Sequence, residues 1–317
     1  MKIYNLREMN ALATQHNFNR DTLEKVVRLI DILSLFNTHK ELKQKYVLKG
    51  GTAINLCLFD LPRLSVDIDM NFSVECTTTK MLEVRELHRK IIKEQVAMMG
   101  YNVDSKSRFT YTLDSYLLKY TNSKGNPDNI KVELNYSNRT TILDTVNYEI
   151  KSEVINTSNV LALNKIELYG SKIAALIGRT TARDAYDVYN LIDSKIINDK
   201  EIRMLKKCSI FYLVTSNNFQ SLEYLLSRFH NNMKNMSFRV IQRNLIPMLH
   251  VGEQIELDTF KQTVVDYIDE LFNVNESEQK FINAFNKKEY SPDLLFDKEI
   301  AVKLKNHPMV LWKMRNF

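Results

Sequence analysis

Two aspartates, Asp67 and Asp69, stand one residue apart inside the apolar run "LSVDIDMNF". On a β-strand successive side chains point to opposite faces. D-x-D therefore throws both carboxylates to one side and sends Ile68 and Met70 to the other, toward a core. Two carboxylates so close repel unless a cation lies between them, and Mg²⁺ favours such oxygen ligands in company with substrate phosphates. Upstream, "LKGGTA" places Gly50 and Gly51 side by side in a chain with only 7 glycines among 317 residues. Glycine lets the main chain approach a ligand closely, and a helix that starts at Gly-Gly-Thr favours negative charge at its N-terminus. A phosphate cradle beside a carboxylate pair is the equipment of phosphoryl or nucleotidyl transfer, with one metal ion or two. Taken alone, Gly-Gly more often marks a turn and D-x-D a solvated face. The agreement of order, spacing and element type carries the reading.

The surrounding sequence reads as elements able to hold these groups. "RDTLEKVVRLIDILSLF" has helical spacing of apolar residues, "YVLKGG" is a short buried strand, "TAINLCLF" a short helix, and "VDIDMNFSV" alternates as a strand. Residues 79–99 are helical again. The stretches "YNVDSKSRFTYTLDSYLLKYTN" and "NIKVELNYS" flank the turn-rich "SKGNPD" and predict a β-hairpin. Past residue 160 strand patterns fade and helix-period segments run to the end. The predicted organisation is α+β, with an α/β domain and its N-terminal helix over residues 1–160 and a helical domain over 161–317.

With 44% hydrophobic and 26% charged residues, the composition is that of a globular protein. No apolar run is long enough to span a membrane, the N-terminus lacks a secretory h-region, and Cys57, Cys76 and Cys208 fall in no metal-ligand spacing. A reduced, cytoplasmic setting is expected. The six histidines form no zinc pattern, and no P-loop, dinucleotide or hydrolase fingerprint is present. The net charge of +6 is uneven: residues 202–252 hold seven basic residues and one acid, Glu223, and the acids Glu253, Glu256, Asp258, Asp266, Asp269 and Glu270 follow. Such an island is either a footprint for a polyanion or a solvated helical surface.

Gly50-Gly51-Thr52 followed by Ser65-x-Asp67-x-Asp69 resembles the first motif of the polymerase-β-like nucleotidyltransferase superfamily. Within it, "LKGGTA…LPRLSVDIDMNF" is similar to the AbiEii/AbiGii abortive-infection toxins of type IV toxin–antitoxin systems. "IKVELNY" places Lys131 and Glu133 on a strand where that superfamily often carries a third acidic residue. "KIELYGSKIAALIGRTTARDAYDVYNLI" resembles the family's C-terminal motif, a helical lysine followed by R-D-x-Y-D, here Lys172, Arg183, Asp184, Tyr186 and Asp187. The resemblance spans residues 45–195. It implies a nucleotidyltransferase core with a mixed sheet, followed by an all-helical domain. The metal, one or two Mg²⁺, falls to Asp67 and Asp69 with Glu133 as a third carboxylate. Gly50, Gly51, Thr52 and Ser65 cradle the phosphates of an NTP, and Lys172 neutralises them. The implied acceptor is an RNA, the 3′ end of tRNA above all, whose modification halts translation in defence against phage. The implied partner is a cognate antitoxin.

The helix around Lys172 carries an apolar stripe, Ile166, Tyr169, Ile173, Leu176 and Ile177, and a separate line of cations, Lys165, Lys172 and Arg179. Lys165 is expected to meet water. Gly170, Ser171, Ala174 and Ala175 leave room for a backbone or a ligand beside Lys172. Asp184 and Asp187 are i,i+3 neighbours, one a candidate base (Asp184 favoured by its place at the helix start) and the other a brace for Lys172. Trp312, Lys313 and Arg315 form a basic aromatic tail, either a docked or frayed terminus or a contact with nucleic acid. Two further readings stay open: a non-catalytic nucleotide- or RNA-binding regulator of the same fold, and a nucleotidyltransferase with a protein or small-molecule acceptor.

Overall fold

A computed structural model describes residues 4–150 and 159–316. The chain divides into two compact units: residues 1–141, 145–163 and 247–251 form the first, and residues 142–144, 164–246 and 252–317 the second.

The first unit opens with α1 (Leu6–Gln15) and α2 (Arg20–Thr38), each started by an asparagine, Asn5 or Asn19, whose side chain accepts first-turn N–H groups. Then come β1 (Tyr46–Lys49), the one-turn helix α3 (Gly50–Ala53), β2 (Asp67–Phe72) and the long α4 (Thr78–Met98). The remaining strands are β3 (Asn102–Val103), β4 (Arg108–Phe109), β5 (Leu113–Thr121), β6 (Pro127–Asn135), β7 (Val146–Glu149) and β8 (Asn159–Ala162). They make one mixed sheet in the order β3-β5-β6-β2-β1-β8-β7, with β4 beside β5. β5 and β6 are the predicted hairpin, paired from Leu113↔Asn135 to Thr121↔Pro127. The short β3 and β4 add to it from a stretch that read as one strand. At the turn Gly125 adopts φ +85°, and Asn122 Oδ1 accepts from Lys124 N and Asn126 N, both at 3.0 Å.

β2 pairs antiparallel with β1 and parallel with β6. It lies inside the sheet, and its alternation is the expected one: Ile68 and Met70 are buried, while Asp67 and Asp69 remain partly exposed on the other face. Helix α3 is shorter than the predicted one. After Ala53 the chain widens into a π-turn, Ile54–Leu58, in which Asn55 donates back to Gly51 O at 2.7 Å. Residues 247–251 return to this unit, where Leu64 N donates to Met248 O and Val251 N to Asn17 O, both at 2.7 Å.

The second unit is helical among its described residues: α5 (Lys165–Arg179), α6 (Ala182–Ser194), α7 (Asp199–Thr215), α8 (Leu222–Asn235), α9 (Phe238–Asn244), α10 (Leu257–Leu271), α11 (Glu276–Asn286), α12 (Lys298–Leu304) and α13 (Pro308–Arg315). α5 packs on α7 through Gly170, where an added Cβ would come within 2.5 Å of Cys208 Cβ and 3.1 Å of the Ser209 N. The small residues of α5 admit a neighbouring helix at this point. Buried Glu167 accepts from Ile142 N at 3.0 Å, Leu143 N at 2.9 Å and the Tyr212 hydroxyl at 2.7 Å. The C-terminal tail is docked: Lys313 Nζ donates to Val214 O at 2.6 Å and lies over the Phe219 and Phe285 rings. Burial lowers its pKa to about 8. Among the described residues no helix is long and apolar enough to cross a membrane.

Candidate functional site

The register of three neighbouring strands builds the charged face of the first unit. Asp69 on β2 stands opposite Lys49 on β1 and opposite Glu133 on β6, and Glu133 stands opposite Ser115 on β5. Residues paired in this way share a face, so Lys49, Asp69, Glu133 and Ser115 form a row across the sheet. The adjacent row sets Asp67 opposite Lys131. Lys131 Nζ reaches Glu133 Oε1 at 2.7 Å, and the Ser115 hydroxyl donates to the same oxygen at 3.2 Å.

The three carboxylates differ in how well they are compensated. Burial pushes the Glu133 carboxyl up, yet the hydrogen bond and charge of Lys131, helped by Ser115, hold it below the usual glutamate range. Asp69 is pushed above the usual aspartate range, first by burial and then by the charges of Glu133 and Asp67, against the opposing pull of Lys49. Lys49 is largely buried, which lowers its pKa, while Asp69 and Glu133 raise it. A carboxylate whose charge Lys49 only partly offsets, flanked by two more oxygen donors, fits a hard divalent cation. Among the described residues no three His, Cys, Asp or Glu side chains form a ready-made metal cage.

The Gly-Gly turn lies against this row. Gly50 has φ +74°, a left-handed conformation that favours glycine, and a Cβ there would sit 3.0 Å from Asp69 Oδ2. A Cβ on Gly51 would come within 2.6 Å of Arg63 Nη2 and 3.1 Å of Ser65 Oγ. The Thr52 hydroxyl donates to Asp67 O and meets Ser65 Oγ at 3.0 Å. Thus Gly50, Gly51, Thr52 and Ser65 come together with Asp67 and Asp69, as the sequence pattern predicts. Two members were missed. Arg63, 2% exposed and donating to Leu64 O at 2.9 Å, places a guanidinium at the cradle. Lys49 faces Asp69. Both lay inside the quoted motifs, and only the strand register and the turn show where they point.

The second unit contains the other predicted cluster. Lys172 Nζ lies 2.9 Å from Asp184 Oδ1 and 2.9 Å from Asp187 Oδ2, with all three side chains buried. Asp184 also accepts from Arg179 Nε at 2.6 Å and from the Thr181 hydroxyl at 2.7 Å. Thr181 Oγ1 in turn caps α6 by accepting from Asp184 N at 3.2 Å. Burial alone raises the Asp184 carboxyl, but Lys172 and Arg179 outweigh it and hold the group far below the aspartate range. So many donors make Asp184 an anchor and a poor base. Tyr186 donates to Glu253 at 2.6 Å. Lys165, expected in water, instead bonds Ile196 O and Glu201 Oε2, both at 2.9 Å.

The basic island separates into two parts. On α7, Arg203, Lys206 and Lys207 line a hollow of about 300 Å³ together with Glu270 and Glu278, and Lys206 Nζ pairs with Glu278 at 2.8 Å. On α8 and α9 the basic residues lie among exposed aromatic ones. Tyr224 is 45% and Phe238 50% exposed, Arg228 lies over the Tyr224 ring, and Arg239 and Arg243 are exposed with no ion pair to an acid among the described residues.

A profile of the family described as "Nucleotidyl transferase AbiEii toxin, Type IV TA system" matches residues 31–270, most of the chain. Among solved structures, the chain is similar to MenT4, a nucleotidyltransferase toxin from Mycobacterium tuberculosis H37Rv, with a TM-score of 0.61 at 16% identity over 96% of this chain and 98% of that one. At that identity the likeness speaks for the fold. Curated protein sequences gave no match. With the glycine turn and the carboxylate row carried on a mixed sheet, the chain belongs to the AbiEii nucleotidyltransferase toxin family of type IV toxin–antitoxin systems.

Proposed function

We propose that the chain is a Mg²⁺-dependent toxin that transfers a nucleoside monophosphate from an NTP to the 3′ end of an RNA, tRNA above all. The row Lys49–Asp69–Glu133 beside the Gly50–Gly51 turn is the observation that carries this reading. Asp67 and Asp69 would hold the metal, with Glu133 as the third carboxylate, and the bound ion would offset charge that develops on the triphosphate. The backbone at Gly50 and Gly51, the Thr52 and Ser65 hydroxyls and the Arg63 guanidinium bind and orient the phosphates. In the second unit Lys172 braces Asp187, which replaces Asp184 as the favoured base because Asp184 is pinned by Lys172, Arg179 and Thr181 together. An RNA acceptor is supported over a protein or small-molecule one by the α8–α9 surface, where Tyr224 and Phe238 offer stacking planes among Arg239, Arg243 and Lys234. Transfer would join the tRNA 3′ oxygen to the α-phosphorus of the NTP with release of pyrophosphate, blocking the hydroxyl that carries the amino acid, so translation would stop and phage infection with it. A cognate antitoxin protein is the expected partner, and the cytoplasm the expected setting. The test is incubation with each labelled NTP, Mg²⁺ and total RNA. Label in RNA of tRNA size is expected, and label confined to protein or small molecules overturns the acceptor.

A further inference from the structure

The charged face of the first unit contains two lysines among three carboxylates, and the two are placed differently. Lys131 binds Glu133 at 2.7 Å and remains near the open end of the row. Lys49 stands across the ladder from Asp69, a carboxylate that makes no salt bridge among the described residues, at the residue directly before the Gly50–Gly51 turn. Asp69 Oδ2 in turn lies against Gly50. The ammonium therefore shares its surroundings with the carboxylate that would hold a cation and with the backbone that would meet a phosphate.

We propose that Lys49 is a positioning residue that acts as the resident counter-cation of Asp69. It keeps the carboxylate pair a weak site for a divalent ion until an NTP arrives, and so couples metal capture to nucleotide binding. This rests on the nucleotidyltransferase reading of the carboxylates given above. The physical reason is charge balance. With Lys49 and Lys131 present, the face carries almost enough positive charge for Asp67, Asp69 and Glu133. A divalent ion added alone is repelled by the ammonium, whereas one brought with a triphosphate adds no net positive charge. Because such coupling is reciprocal, the metal in turn raises nucleotide affinity by the same factor.

The experiment measures Mn²⁺ binding to the full-length protein by electron paramagnetic resonance, with and without a non-hydrolysable NTP analogue. In Lys49→Met, Mn²⁺ should bind on the order of tenfold more tightly without nucleotide, and the gain in affinity on adding the analogue should shrink by a similar factor. Lys49→Arg should behave as wild type. A lysine with a merely structural role would lower the melting temperature and leave Mn²⁺ binding unchanged or weaker, which overturns the proposal. If Lys49→Met does not fold, Lys49→Gln, one atom shorter but polar and uncharged, tests the same charge. Asp69→Asn separates the two levels of the argument. Should it remove Mn²⁺ binding while Lys49→Met changes nothing, the carboxylate reading stands and the role of Lys49 falls. Should it leave Mn²⁺ binding intact, the carboxylate reading falls and Lys49 with it.

Discussion

Replacing Asp69 by Asn exchanges one carboxylate oxygen for an amide with almost no change of shape, and it sets two readouts against each other. Neighbouring strands lie about 4.8 Å apart, so charges on Asp69 and Glu133 repel by about 3 kcal/mol at an effective dielectric near 20. Lys49 offsets part of this, yet the balance remains unfavourable, because burial and then the Glu133 and Asp67 charges still hold the Asp69 carboxyl above its ordinary value of 3.8. In the metal-free protein the Asn variant should therefore be more stable, by about 1 kcal/mol, or a rise of roughly 2–4 °C in melting temperature for a unit of this size. The sign with pH follows: a carboxyl with a raised folded value makes the wild type lose stability as pH rises from 3.8 through that raised value. Asp69→Asn should flatten that decline. Nucleotide transfer should fall by on the order of 10²-fold or more, a few kcal/mol of transition-state stabilisation. Calorimetry in EDTA and a labelled-NTP transfer assay read the two effects. Near-normal transfer refutes the two-carboxylate mechanism, and a lowered melting temperature with lost transfer shows that Asp69 serves the fold as the partner of Lys49.

In the second unit, Asp187→Asn should lower transfer while sparing nucleotide binding, whereas Asp184→Asn should chiefly destabilise by about 3–5 kcal/mol, because it strips a buried anchor from Lys172 and Arg179. Denaturant melts beside single-turnover transfer distinguish them, and the reverse pattern restores Asp184 as the base. Replacing both Arg239 and Arg243 by Gln should reduce the salt slope of RNA binding by about 2, and Phe238→Ala should weaken binding by about 1–3 kcal/mol. Gln at Arg203, Lys206 and Lys207 should change the slope little, since acids line the same hollow; fluorescence anisotropy across a salt series decides. Gly170→Ala should destabilise by about 1–3 kcal/mol, because its Cβ would collide with Cys208 on α7. An unchanged melting curve would mean that α5 and α7 are free to separate.

The strands that carry Asp67, Asp69 and the Gly-Gly turn were legible because burial on one face imposes alternation, and the hairpin because Ser123 to Asp128 announce a turn. Lys49 was not legible as a partner of Asp69. Its relation to that carboxylate exists only through the β1–β2 register, and in sequence it reads as the last residue of a buried strand. The closeness of Glu133 to Asp69 likewise depends on a parallel pairing between strands far apart in the chain, which the family resemblance supplied and periodicity could not. The two-residue strands β3 and β4 are too short to show a period, and β8 looked like the start of the helical region because its pairing partners are distant. Lys165 was expected in water because a helical wheel shows its own helix and no other; Glu201 on α7 captures it. The basic island did not show its division because the acids beside its α7 part, Glu278 paired with Lys206 and Glu270 in the same hollow, come from α11 and α10.

The return of residues 247–251 to the first unit has a consequence during synthesis. The carboxylates, the glycine turn and nearly the whole sheet are translated before residue 164, yet the Leu64–Met248 and Asn17–Val251 hydrogen bonds must wait for a segment encoded far downstream. At about 5–20 residues per second, the ribosome needs several more seconds to supply it. The nascent sheet domain is thus held one strap short of completion while most of the helical unit emerges. A chain arrested in that window carries every candidate metal ligand without the segment that closes its own domain.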